Sequence, residues 1–266
     1  MDTAKLFEHV NDSHVFEFPF GCEIELPVIC GVQLTKFMVI ETLVALIMLL
    51  LFIPLARKIK TGQPVHGRFS NLLEVFLLFL RDDVVRPSIG HGADKFLPLI
   101  WTTFFFILGM NLFGMLPGFG SPTASYSVTC VMAVFALISL IIAGSVAQGP
   151  IGFWVHQVPS MELPFGLGFI LKPMLFVIEV FGLMVKHFVL MVRLFANMFA
   201  GHLVLAVFTT FITVITSGWL LWVCVSAPSM ALAIAISLLE IFVAFLQAYI
   251  FTFLMSLFIG MGRHAH

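Results

Sequence analysis

Arg193, Asn197 and His202 lie in the stretch MVRLFANMFAGHLVLAVF (191–208), where every other residue is apolar or glycine. A guanidinium keeps its proton in any protein environment. At the centre of a membrane helix it costs about 2.5–3.5 kcal/mol even on the lenient insertion scale. Such a residue is retained where it meets water or an opposite charge. Glu179, Lys186 and Arg193 are spaced seven apart. Seven residues make nearly two full helical turns, so the three form one stripe with about 10 Å between neighbours along the axis. Asn197 prolongs the stripe by one turn. A polar stripe on an apolar helix faces water or a polar partner. For Glu179 and Lys186 the competing explanation is snorkelling to the nearer membrane interface; Arg193 lies too deep in the run for that.

His202 is nine residues past Arg193, about half a turn off the stripe and ~13 Å further along the axis. It therefore faces a different neighbour, nearer the outside. Glu240 and Gln247, in the last apolar stretch, are again seven apart and share a face. If the two late stretches run antiparallel, Glu240 approaches His202 while Gln247 comes closer to the level of Arg193. A His–Glu pair in a wet cleft titrates on both sides of neutral pH and can pass protons. The competing reading is a buried structural pair. Asn111, in GMNLFGMLPG, fits an interhelical hydrogen bond more readily than a pathway residue when taken alone.

The elements that position these groups follow from composition. Of 266 residues, 61% are hydrophobic and 10% charged, against roughly 45–50% and about 25% in a soluble domain. The chain is therefore read as an all-α, polytopic membrane protein. Charge is segregated: residues 1–36 carry six acids against Lys5 and Lys36, residues 57–95 hold seven of the thirteen Lys and Arg, and 96–171 hold none. Basic loops stay cytoplasmic. Residues 1–36 are thus an external tail without a signal-peptide pattern, and 37–266 a single membrane domain. Of the four cysteines, Cys22 and Cys30 fall in that tail. An oxidising compartment would permit a disulfide there, and two free thiols fit equally well. No His, Cys or acid cluster has metal-ligand spacing, and no glycine-rich phosphate loop is present.

Spans are expected at about 37–55, 96–116, 125–146, 172–207 and 229–259, the first ended by Pro54. The segment at 71–87, NLLEVFLLFLRDDVVRP, is too short and too charged to cross and reads as an interfacial amphipathic helix. The last two spans exceed the roughly 20 residues of a perpendicular crossing, so strong tilt is expected. Five crossings leave the C-terminus cytoplasmic; a short re-entrant helix over 208–224 is the alternative for the segment between the last two. There is no internal repeat.

VRLFANMFAGH together with LLEIFVAFLQAYIFTFL resembles the signature of subunit a of the F-type ATP synthase, the membrane-sector proton channel stator. KFLPLIWTTFFFILGMNLFGMLPG and LTKFMVIETLVAL are also similar to that family, so the likeness covers most of the chain from residue 34 onward. The resemblance implies that Arg193 is the family's essential arginine, facing the carboxylate of the rotating c-ring. It implies that Asn197 is the polar residue one turn away, that His202 and Glu240 line the external half-channel, and that Gln247 is the final-helix glutamine near the arginine. Glu179 and Lys186 match the acid and base of the cytoplasmic-side approach. His187 departs from the pattern, which has proline after the lysine; it leaves the local helix shape open and adds a titratable group. Implied partners are the c-ring, the peripheral-stalk b subunits and lipid, with no nucleic acid and no cofactor. The implied location is a bacterial inner membrane.

Two other classes compete. A self-contained secondary transporter would use Arg193 to bind an anionic substrate, but should show a repeat. A haem protein using His187 and His202 is disfavoured, because their 15-residue spacing does not place them on one helix face.

Overall fold

The computed structural model describes residues 15–17, 23–29, 32–60, 67–116, 120–155, 168–214 and 219–263. Cys22, Cys30 and the linkers at 61–66 and 156–167 lie outside the described residues. The tail contains two short antiparallel hairpins that hydrophobic patterning did not foreshadow. In one, β1 (Val15–Glu17) pairs with β2 (Glu23–Glu25), Phe16 opposite Ile24. In the other, β3 (Val28–Ile29) pairs with β4 (Val32–Gln33).

From Lys36 onward every regular element among the described residues is helical. The elements are α1 (Lys36–Lys60), α2 (Arg68–Phe79), a π-helical turn (Leu80–Val85) and α3 (Arg86–Ile89). There follow a 3-10 turn (Ala93–Phe96), α4 (Leu97–Gly114), a second 3-10 turn (Pro122–Ala124) and α5 (Tyr126–Gln148). Last come α6 (Pro150–Val155), α7 (Gly168–Val214) and α8 (Trp219–Arg263). Five helical stretches are long and apolar enough to cross a bilayer: Lys36–Lys60, Ala93–Gly114, Tyr126–Gln148, Leu171–Thr210 and Trp222–Arg263. The polytopic all-α architecture is therefore borne out.

Two helix ends differ from expectation. Pro54 lies inside α1, which continues to Lys60; in a membrane helix the freed backbone groups are re-satisfied locally, so proline need not terminate it. Residues 208–214 continue α7, and 219–224 begin α8. No separate short helix forms over 208–224 among the described residues. The 47 residues of α7 extend about 70 Å at 1.5 Å per residue. That is more than twice the ~30 Å hydrocarbon core, so α7 must tilt or protrude.

The residues group into two compact units. The first comprises 1–65, 104–129 and 193–249, and the second 66–103, 130–192 and 250–266. In the first, Phe37, Ile40 and Val44 of α1 are buried together with Phe104 and Ile107 of α4. Gly109 permits the close approach of these helices, since a Cβ there would stand 2.7 Å from Val44 Cγ1. Small residues are how membrane helices gain packing contact when lipid is as apolar as their side chains.

In the second unit Leu140, Phe153, Leu183 and Phe258 form a core. A Cβ at Gly144 would overlap the Phe153 ring. The Trp101 indole N–H donates to the Leu77 carbonyl at 3.1 Å, tying α4 to α2. At the π-helical turn Arg86 bonds Asp82 at 2.9 Å and Asp94 at 3.4 Å. Arg263, the last residue of α8, donates to the His91 carbonyl at 3.0 Å and sits over the Phe96 ring.

Candidate functional site

The α7 helix carries Glu179, Lys186, Arg193, Asn197 and His202 without interruption. Its apolar composition makes the helix, and its period sorts the polar groups onto faces. In the second unit Lys186 Nζ lies 3.7 Å from Glu179 Oε1, with both side chains about two-fifths exposed (43% and 41%). The two therefore meet along the helix surface across their seven-residue spacing. His187, the next residue, points inward. It is 4% exposed, its Nδ1–H donates to the Leu183 carbonyl at 2.9 Å, and its ring lies 5.1 Å from that of Phe258. Because a carbonyl can only accept, the proton sits on Nδ1. Nε2 is then a bare acceptor, buried without a partner among the described residues. The helix runs unbroken through this position.

In the first unit Arg193 is exposed on α7 and makes no ion pair or hydrogen bond among the described residues. Asn197, one turn on, is half-buried. Leu190, Leu194 and Met198 of the same helix are fully buried. They hold an adjoining face of the helix, centred about 100° round from Arg193, against protein, while Arg193 itself stays exposed. The guanidinium is thus displayed, not neutralised.

His202 and Glu240 are brought together, as expected for antiparallel late helices: His202 Nδ1 lies 3.8 Å from Glu240 Oε1. That is an ion-pair distance but too long for a hydrogen bond. Glu240 is 4% exposed, and neither of its carboxyl oxygens, nor His202 Nε2, has a hydrogen-bond partner among the described residues. A bare buried carboxylate costs several kcal/mol unless a proton, a donor or water meets it. The buried pair thus leaves both carboxyl oxygens and one imidazole nitrogen without a hydrogen bond among the described residues. Gly201 makes room for it. A Cβ at 201 would come within 2.8 Å of Glu240 Oε1 and 3.1 Å of its Cδ.

Gln247 is also buried, and its Nε2 has no partner among the described residues. It forms no hydrogen bond with Arg193 there. Asn111 is fully buried; its Nδ2 donates to the Ala244 carbonyl of α8 at 3.3 Å, and its Oδ1 accepts from Thr123 Oγ1 at 2.7 Å. It is the interhelical bond that its type suggested. Sequence reasoning missed Gly201, Thr123 and Ser121. A glycine inside a helix, costing about 1 kcal/mol against alanine and standing beside His202, was the available signal for the first. The two hydroxyls carried none.

The described residues hold no cluster of three His, Cys, Asp or Glu suited to a metal ion. The ATP synthase A chain family model matches residues 38–260. ATP synthase subunit a 2 of Chlorobaculum tepidum is 38% identical over 266 residues, covering 97% of this chain and 72% of its own. ATP synthase subunit a of Chlorobium phaeobacteroides (strain BS1) is 39% identical over 264 residues, with 97% and 75% covered. ATP synthase subunit a of Anaeromyxobacter dehalogenans is 37% identical over 284 residues, with 99% and 71% covered.

Proposed function

Because the chain belongs to the ATP synthase A chain family, subunit a of a multisubunit membrane complex, we propose that it is the proton-translocating stator of that complex, with two offset aqueous half-channels separated by Arg193. The reading rests on Arg193, a permanent cation displayed on an apolar helix with no counterion among the described residues. Its complement is an acid on another subunit, the carboxylate of a rotating c-ring. That carboxylate must be protonated to travel through lipid. Beside Arg193 the ionised form is favoured, so the proton is released there. The guanidinium cannot lose its own proton and relays nothing. It acts as a fixed barrier between the outer and inner paths.

His202 and Glu240 carry protons on the outer path, Gln247 is the polar amide of the final helix near the arginine, and Asn197 adds a polar group one turn from it. Glu179 and Lys186 form the cytoplasmic-side approach. Each proton that crosses releases about 2.3 kcal/mol per 100 mV, which the offset of the two paths turns into rotation. The basic residues of 57–95 face the cytoplasm, with the N-terminal tail outside and the C-terminus inside a bacterial inner membrane. ATP chemistry belongs to other subunits. The b subunits of the peripheral stalk hold the chain against the rotor.

The test is Arg193→Ala in the complete complex reconstituted into vesicles. Loss of ATP-driven proton pumping is expected; retained pumping would defeat the role. If the purified chain alone catalysed anion transport, the transporter reading would replace this one.

A further inference from the structure

A buried hydrogen-bonded chain in the first unit lies outside the proton path described above. Ser121, Thr123 and Asn111 are 1%, 0% and 0% exposed. Ser121 Oγ lies 2.7 Å from Thr123 Oγ1, and Thr123 Oγ1 lies 2.7 Å from Asn111 Oδ1. Asn111 Nδ2 reaches the Ala244 carbonyl at 3.3 Å.

The direction of every bond can be deduced. The Ala244 carbonyl only accepts, so the Asn111 amide must donate to it and its Oδ1 must face Thr123. That oxygen also only accepts, so the single hydroxyl proton of Thr123 points at Asn111, and Ser121 donates to Thr123. The chain thus runs one way, from the loop after α4 into α8, and ends on a backbone carbonyl. A primary amide is neither acid nor base near neutral pH, and the carbonyl has no proton to pass on. The chain is therefore a clamp and not a relay.

What it clamps is the helix of the proton pair. Ala244 stands four residues after Glu240 and three before Gln247, so the three share one face of α8. All three are buried. The loop end of the chain is fixed independently: a Cβ at Gly114 would overlap Ser121, so glycine lets the returning loop lie directly on α4. The 3-10 turn at Pro122–Ala124, with the Ala124 N–H bonded to the Ser121 carbonyl at 3.0 Å, then aims Thr123 at Asn111.

We propose that Thr123 is a positioning residue for proton transfer: by orienting the Asn111 amide it fixes the station of α8, and with it the distance from Glu240 to His202. This rests on the reading of Glu240 as a proton-carrying group. The experiment uses the complete complex in vesicles, with rates normalised to assembled complex. Thr123→Val keeps the shape and removes the hydroxyl; Thr123→Ser keeps the hydroxyl. The valine variant is expected to pump about tenfold more slowly, with the external proton concentration at half-maximal ATP synthesis moved about threefold. The serine variant should return to within about twofold of the parent on both readouts.

A valine variant unchanged in rate, slowed with half-saturation unmoved, or matched by an equally slow serine variant overturns the clamp. Glu240→Gln in the same vesicles tests the underlying reading separately. Full pumping there removes that reading however Thr123 behaves. A dead Glu240→Gln beside an unaffected Thr123→Val removes the clamp alone.

Discussion

Gly201 lies within α7, directly before His202. An alanine methyl at 201 would sit 2.8 Å from Glu240 Oε1, where ordinary contact begins at 3.4 Å. The carboxylate must therefore retreat by about 0.6 Å, or turn away from His202. Its Oε1 is the atom that faces His202 Nδ1 at 3.8 Å, so the displacement falls on the gap across which the proposed proton exchange occurs. Stability and function should separate. The overpacking costs about 1–3 kcal/mol, offset by up to about 1 kcal/mol of improved helix propensity. A net loss of at most about 3 kcal/mol should leave the complex assembled. A misplacement of this order can slow a positioned transfer by up to about 100-fold. Gly201→Ala is thus expected to lower ATP-driven proton pumping, measured by dye quenching in reconstituted vesicles, by about 10–100-fold at constant assembly. Adding Glu240→Asp, which retracts the carboxylate by one methylene, should restore part of the rate. Pumping by Gly201→Ala at the parental rate would refute the argument that this glycine is where the pair gets its room.

Two further outcomes follow from the same geometry. Exchanging the pair, His202→Glu with Glu240→His, should recover part of the pumping that each single change abolishes, because the two act across one gap; full pumping in either single variant contradicts the pairing. His187→Phe should keep the ring packing against Phe258 and remove a buried acceptor that has no partner among the described residues. Thermal denaturation of the purified complex should then show stability unchanged or raised by up to about 1 kcal/mol. Abolished pumping at constant assembly would instead make His187 a proton carrier.

The parts of the molecule that were legible beforehand are those governed by periodicity. Twenty-residue apolar runs announce spans because hydrocarbon thickness sets their length. The seven-residue spacings of Glu179 and Lys186, and of Glu240 and Gln247, announce shared faces because the helical period is fixed. The approach of His202 to Glu240 needed one added assumption, that the two late helices run antiparallel.

What escaped has no period. Ser121 and Thr123 lie in a short loop whose composition says only that a turn occurs there; their bonds to Asn111 depend on how the loop folds back over Gly114. The unbroken helix through Pro54 runs against a local breaker signal, which is weaker in lipid because an open backbone group there costs so much. The tail hairpins at 15–33 are too short for alternation to stand out. At His187 the resemblance pointed to proline; the imidazole there bonds the Leu183 carbonyl and contacts the Phe258 ring, and the helix is continuous.

The most direct measurement concerns the barrier itself. Membranes carrying Arg193→Ala in the assembled membrane sector, stripped of the ATP-hydrolysing head, should leak protons passively down an imposed gradient faster than parental membranes. With the fixed cation gone, the outer and inner paths meet. A leak rate equal to the parent's, together with surviving ATP-driven pumping in the complete Arg193→Ala complex, would contradict the claim that a displayed, unneutralised guanidinium separates the two.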